Sequence, residues 1–334
     1  MVYLNFIDFT KPEIWRQAKM NKCKSHIFLA LPLSFVLLFQ ACNDSGKKYT
    51  DTPTSGNIDI AVDESYTSII DAEIETFESL YRKAKINAHY LQEGDALKLF
   101  MSDSARIIVM NRELNEAEKS EFEARNLKPR ITKIAYDGIA IIVHPKNQDT
   151  LLSMQQLSEI FSGKTKTWTA LNSKSQLGDI SIILDNKESS NGRLLKEKFL
   201  QSNTFPKNCY AAKSNEEVIN YVNKHPNSIG IIGANFISDK DDTLALSFLK
   251  KVNVVALCEG NCSDENNYYK PYQAYVKLKQ YPLYRTVYII SREARAGLGS
   301  GFTAFVAGDK GQRIILKSGL VPATGPVRII EISN

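Results

Sequence analysis

The stretch Ile134-Ala-Tyr-Asp-Gly-Ile-Ala-Ile-Ile-Val143 (IAYDGIAIIV) runs for ten residues with Asp137 as its single charge. So long an apolar run, closed by His144-Pro-Lys-Asn147, reads as a buried strand. Working outward, strand-like and helix-like segments alternate. Toward the N-terminus lie the apolar runs Ile58–Val62 and Arg106–Met110. Between them Ile70, Ile74, Phe77, Tyr81 and Ala84 recur at helical spacing, and 115–126 reads as a polar-faced helix. Toward the C-terminus, Ser153 with Gln156 spells a capping box that opens a helix through Phe161, with Gly163 as its stop. Ser214 with Glu217 repeats that device before Val218, Tyr221 and Val222. Further strands are expected at 180–184, 229–232, 252–257 and 286–290, with a closing helix over about 302–317. This alternation predicts an α/β fold.

Length and charge bound the function. At 334 residues, 43% apolar and 24% charged, the chain is long enough for about two domains and has an ordinary globular composition. Residues 1–41 hold five Lys/Arg and two acids. Setting these aside from 42 bases and 37 acids leaves 37 against 35, a balance that gives no case for nucleic-acid binding. The first 41 residues read as a secretory signal: a basic segment from Met20, an apolar run Ile27–Phe39 interrupted by Pro32, then Gln40-Ala41-Cys42. Met20 reads as a better start than Met1. A cysteine directly after a small residue resembles the bacterial lipobox, so Cys42 is expected to be acylated. Residues 42–56, polar and rich in turn formers, read as a flexible tether. The expected location is therefore the cell envelope, on the periplasmic or surface face of the outer membrane, with the lipid anchor as the only membrane contact.

Of the remaining cysteines, Cys258 and Cys262 could close a small disulfide loop, and Cys209 is expected to be a buried free thiol. His89, His144 and His225 show no paired metal-ligand spacing, and no nucleophile elbow is present, so neither catalytic residues nor a metal nor a cofactor is expected. Gly297-Leu-Gly-Ser-Gly301 lacks the phosphate-loop lysine and reads as a turn. Three strand-to-helix junctions carry small polar residues: Asp63-Glu-Ser-Tyr-Thr67, Asn111-Arg112 and Ser189-Ser-Asn-Gly192. Residues there either cap their own helices or present hydrogen bonds to a ligand at the carboxyl ends of strands.

In order along the chain, Ile60–Ser65, Ile107–Glu118, Ile134–Asn147, Leu157–Trp168, Tyr281–Ile290 and Gly311–Pro322 resemble the substrate-binding proteins of phosphate-type ABC transporters. The likeness is strongest to lipoprotein members from Bacteroidetes, and it spans roughly 57–328. The resemblance implies a two-lobed type II periplasmic-binding-protein fold with a central ligand cleft and interdomain crossing strands. Lobe 1 would comprise 57–137 plus 282–334, and lobe 2 138–281. It implies a monomer that is no enzyme, takes a small anionic ligand, most readily phosphate, and delivers it to an ABC permease. The ligand-binding residues it suggests are Ser65, Tyr66, Asn111, Arg112, Asp137, Asp185, Ser189, Ser190 and Asn191.

This sequence departs from the pattern at three loops, the second reading Met110-Asn111-Arg112 where relatives often have Ala-Ser-Arg or Ala-Ser-Asp. Asp63-Glu64-Ser65 stands where relatives read Gly-Ser-Ser/Thr. Asp185 stands where they hold an arginine, with Arg112 and Arg193 as candidates to compensate. A carboxylate facing an oxyanion costs on the order of a few kcal/mol at an effective dielectric near 20. A sensor or interaction module, or a binding protein for another ligand, is the alternative expectation.

Overall fold

Residues 51–200, 204–238 and 243–325 are described by the structure, a computed structural model, with the side chains of 243–245 excepted. The expected signal (1–41), the start at Met20 and the acylated Cys42 lie outside them. The first part comprises β1 (Ser55–Asp63), α1 (Thr67–Leu80), β2 (Lys83–Leu91), α2 (Glu93–Met101), β3 (Ile107–Met110) and α3 (Glu116–Ala124). β4 (Arg130–Val143) leads into β5 (Leu151–Ser153), α4 (Met154–Phe161), α5 (Trp168–Leu171), β6 (Ser181–Leu184) and α6 (Ser190–Phe199). Then come β7 (Cys209–Ala211), α7 (Asn215–Lys224), β8 (Ser228–Gly233), α8 (Asn235–Ser238), α9 (Thr243–Leu249), β9 (Asn253–Val254), β10 (Ala256–Cys258) and α10 (Gln273–Lys277). β11 (Tyr284–Ser291), α11 (Leu298–Ala307), α12 (Asp309–Lys317) and β12 (Val321–Pro322) complete the described chain.

β4 is the spine. Its first half pairs antiparallel with β11, from Arg130 opposite Ser291 to Gly138 opposite Tyr284. From Ile139 to Val143 it pairs instead with β8. The change of partner falls at Gly138, where a Cβ would lie 3.2 Å from side chains of Ala234 and Pro271. The sheet order β2-β1-β3-β11-β4-β8-β6-β7 therefore runs through two lobes that share one strand. β4 also explains its own composition. Ile139, Ile141 and Val143 enter one core cluster with Leu157, Phe161 and Trp168, while Ala140 and Ile142 enter another with Val218 and Ile219. Both faces are covered, so both sets of alternating positions must be apolar. In the first lobe Ile60, Val62, Ile107, Val109, Val287 and Ile289 pack with Phe77 and Phe302.

Several sequence expectations change. The α1 periodicity was read through Ala84, but the helix ends at Leu80 and Ala84 belongs to β2, whose alternating KAKINAHYL lies at the sheet edge. The expected 302–317 helix is two helices, because Gly308 adopts extended backbone between them. The expected 252–257 strand is β9 on β4 and β10 on β5. Gly297–Gly301 opens α11, and its amide groups are occupied: Leu298 donates to Asp51, and Gly299 and Ser300 donate to Glu293. Asp51 is buried and paired with Arg106 and Arg295, so within the expected tether the chain is already docked from Asp51 onward. The box at Ser153 and Gln156 forms in both directions, whereas Glu217 accepts from Lys213 and leaves Ser214 as a single cap. Cys258 and Cys262 are joined, and Cys209 is buried and free. Among the described residues no helix is long and apolar enough to cross a membrane.

Candidate binding site

The three polar junctions converge at the carboxyl ends of β1, β3 and β6, where the lobes meet over β4 and β11. Asp63 ends β1 and caps the short 3₁₀ turn Glu64–Tyr66, its Oδ1 accepting from the Ser65 amide at 3.0 Å. That turn leaves the Ser65 hydroxyl free of capping duty, and it meets Ser190 Oγ of the other lobe at 3.3 Å. At the third junction Ser189 is the N-cap of α6, its Oγ accepting from Gly192 N at 3.1 Å. With Ser189 as the cap, Ser190 and Asn191 project their side chains onto the first lobe. Their own amides lie in the first turn, where a helix offers no internal acceptor.

The partner they meet is Arg285, which the resemblance-based set omitted. Its Nη1 donates to Ser190 Oγ at 3.1 Å and to Asn191 Oδ1 at 3.0 Å, and its Nε donates to Asp137 Oδ2 at 2.9 Å. Nη2 lies 2.8 Å from the same Asp137 oxygen but makes no aligned hydrogen bond, so a buried donor is left over. Tyr66 donates to Asp137 at 3.3 Å, and the guanidinium lies 5.6 Å from its ring centroid. Arg285 is 4% exposed, which identifies it as the buried cation of the site. Its signal was present in sequence: Arg285 shares the inward-facing parity of Val287 and Ile289 along β11, and a buried arginine demands a partner.

Asp185, expected to confront the ligand, instead ties its own loop together. Oδ1 accepts from Asn186 N and Ser189 Oγ, and Oδ2 from Asn191 Nδ2 at 3.0 Å. Asn111 Nδ2 donates to Asp63 Oδ2 at 3.0 Å. Arg112 does not join the cluster. It pairs with Glu93 and Glu118, and Arg193 pairs with Glu93 and Glu197, so neither supplies the compensating charge directly to Asp185.

Three buried carboxylates thus surround one guanidinium. Burial pushes the Asp63, Asp137 and Asp185 carboxyls above their ordinary range; Arg285 pulls Asp63 and Asp137 part of the way back, while for Asp185 the hydrogen bonds from Ser189 and Asn186 do so ahead of Arg285. Glu64 is raised by its partial burial and by the neighbouring Asp63 and Asp185 charges. Burial opposes the Arg285 charge, but Tyr66, Asp137 and Asp63 more than offset it and hold the guanidinium protonated. Such a site can grip a small anion through Arg285, Ser65, Ser190 and the first-turn amides of α6, provided its carboxyls are shielded or protonated. Among the described residues no cluster of three or more His, Cys, Asp or Glu is arranged to hold a metal ion.

Residues 47–310 match the family model of a PBP superfamily domain. The phosphate-binding protein PstS of Staphylococcus aureus (strain bovine RF122 / ET3-1) is 26% identical over 287 residues, covering 84% of this chain and 83% of its own. Two solved structures share the fold. An ABC-type phosphate transport receptor from Vibrio cholerae superposes with a TM-score of 0.64 at 18% identity, over 80% of this chain and all of its own. PstS from Borrelia burgdorferi superposes with a TM-score of 0.55 at 19% identity, over 80% and 99%.

Proposed function

The chain belongs to the PBP superfamily, and on that premise we propose that it captures phosphate or a related small oxyanion between its lobes for uptake by an ABC-type permease. The observation that carries this reading is Arg285, a buried cation that reaches across from one lobe to Ser190 and Asn191 of the other and keeps an unaligned N–H donor. An oxyanion bridging Arg285, Ser65 and the start of α6 would hold both lobes, which is how ligand binding favours a closed form. The names of the staphylococcal relative and of the solved neighbours support phosphate. Ser65, Tyr66, Asn111, Asp137, Asp185, Ser189, Ser190 and Asn191 are the proposed site, with Asp185 acting through its charge while it ties the third loop, Arg285 added and Arg112 moved to the rim. The lobes divide at Asp137/Gly138 and again near Pro282. Acylation of Cys42 would hold a monomer at the envelope, outside the cytoplasm. No covalent chemistry belongs to this role.

Titration calorimetry with inorganic phosphate is expected to give a saturable heat, and Arg285→Gln is expected to weaken binding at least tenfold, since a charge-assisted contact contributes about 1.5–3 kcal/mol. No heat at millimolar phosphate would sink the phosphate reading. The excess of carboxylates favours one second reading, a cationic or zwitterionic ligand, for which phosphate would leave the melting temperature unmoved while another ligand raised it.

A further inference from the structure

Beside the site, five charged side chains form an alternating chain that crosses between the lobes. On α6, Arg193 is oriented by Glu197, one turn along, through two hydrogen bonds of 2.9 and 2.8 Å. It then reaches over to α2, where Nε and Nη2 bind Glu93 at 2.8 and 3.2 Å. Glu93 is shared with Arg112, which Glu118 holds at the start of α3 by two bonds of 2.7 and 2.8 Å. Arg193 Nη2 also donates to Asn111 Oδ1 at 2.5 Å, and Asn111 in turn donates to Asp63 in the site. Glu93 is buried, while the Arg193 side chain keeps 22% of its surface exposed at the rim. The pair is shielded enough to matter and close enough to solvent to open.

We propose that Arg193 is an interlobe latch: its grip on Glu93 stabilises the closed arrangement, and its bond to Asn111 ties that closure to the anion site. This rests on the reading of the two lobes as a closing clamp. A freestanding surface pair would be expected to contribute little. Arg193 differs in being preset by Glu197, bidentate on a buried acid, and one hydrogen bond from a site carboxylate's partner. Arg193 is therefore a positioning residue, acting on ligand through Asn111 and through the open–closed balance.

Hydrogen–deuterium exchange of the full chain tests this, read at the cleft segments 63–67 and 189–193 without ligand. Arg193→Gln and Glu93→Gln are each expected to speed exchange there about tenfold. The double variant should lie close to Arg193→Gln alone, because both remove one pair. Lys196→Gln, which breaks an ion pair with Glu188 within one lobe, should leave cleft exchange unchanged. Half-saturation by inorganic phosphate should rise about tenfold in Arg193→Gln with the melting temperature nearly unmoved. Cleft exchange equal to wild type in Arg193→Gln, or raised equally by Lys196→Gln, would overturn the latch. Wild type that never responds to phosphate would count against the proposed ligand, while the exchange comparison, made without ligand, would still decide the latch.

Discussion

Arg285 and Asp185 divide the electrostatics of the site between them. Arg285 supplies the positive charge, from β11, that the third loop lacks, and Asp185 spends its hydrogen bonds on Ser189, Asn186 and Asn191. A carboxyl raised by burial still ionises as pH climbs, so phosphate affinity is expected to fall with rising pH as repulsion from Asp63 and Asp185 grows. Asp185→Asn removes one of these charges and keeps an acceptor for the Ser189 hydroxyl. It should tighten phosphate binding about tenfold where Asp185 is ionised and flatten the pH dependence, with a small loss of melting temperature from the broken Asn191 contact. Calorimetry of both proteins across a pH series decides the matter; a slope unchanged by the substitution would show that Asp185 does not act on the ligand. At this scale the sequence was partly legible. Ser65, Ser190 and Asn191 could be picked out as uncharged donors at helix starts, but whether they capped or projected depended on Ser189 taking the cap.

At the scale of elements, α1 carries an unusual passenger. Glu73 lies on its buried stripe with Ile69, Ile70 and Phe77, fully covered, and neither carboxylate oxygen has a hydrogen-bond partner. Burial pushes its pKa up to about 8, so at pH 5 it is held as the neutral acid. The folded protein then binds a proton that the unfolded chain has released above its ordinary value of 4.5. Stability therefore falls as pH rises from about 4.5 to about 8, by up to about 1.4 kcal/mol per unit. Glu73→Gln should be the more stable form at pH 8 and should show a shallower slope between pH 5 and 8 in urea unfolding. Parallel slopes for the two proteins would refute it. Glu73 was invisible in the periodicity, where a single acid on an apolar stripe looks like an ordinary helix residue. The capping box at Ser153 with Gln156 was the opposite case, legible because its partners are three residues apart, whereas Ser214 keeps a single cap and the reciprocal box of Asn115 with Glu118 was not singled out in sequence.

At the scale of the molecule, the lobes are joined by a strand they both need. β4 contributes Ile134 and Ala135 to one core and Ile139, Ile141 and Val143 to the other, without a linker between. Damage to one lobe should then be felt in the other. Phe77→Ala, which empties a buried ring position in the first lobe, is expected to cost about 3–5 kcal/mol. Trp168, fully buried in the second lobe, provides the readout: its fluorescence transition in urea should shift to lower denaturant together with the circular dichroism transition. A Trp168 transition that stays where wild type has it would mean the lobes unfold separately.

The sequence by itself determined most strands, the helix caps and the alternation that makes the protein α/β, because those signals are written within a few residues of each other. It placed β4 as a buried strand for the same reason. Only the tertiary structure decided how the site is charged. Arg285 meets Asp137 across 148 residues, Ser65 meets Ser190 across 125, and Arg193 meets Glu93 across 100. Periodicity reports which face a residue occupies but not which distant residue occupies the same point in space. The pairing of buried charges is set by that second fact, through the sheet order that brings β11 beside β4 and α6 against the ends of β1 and β3.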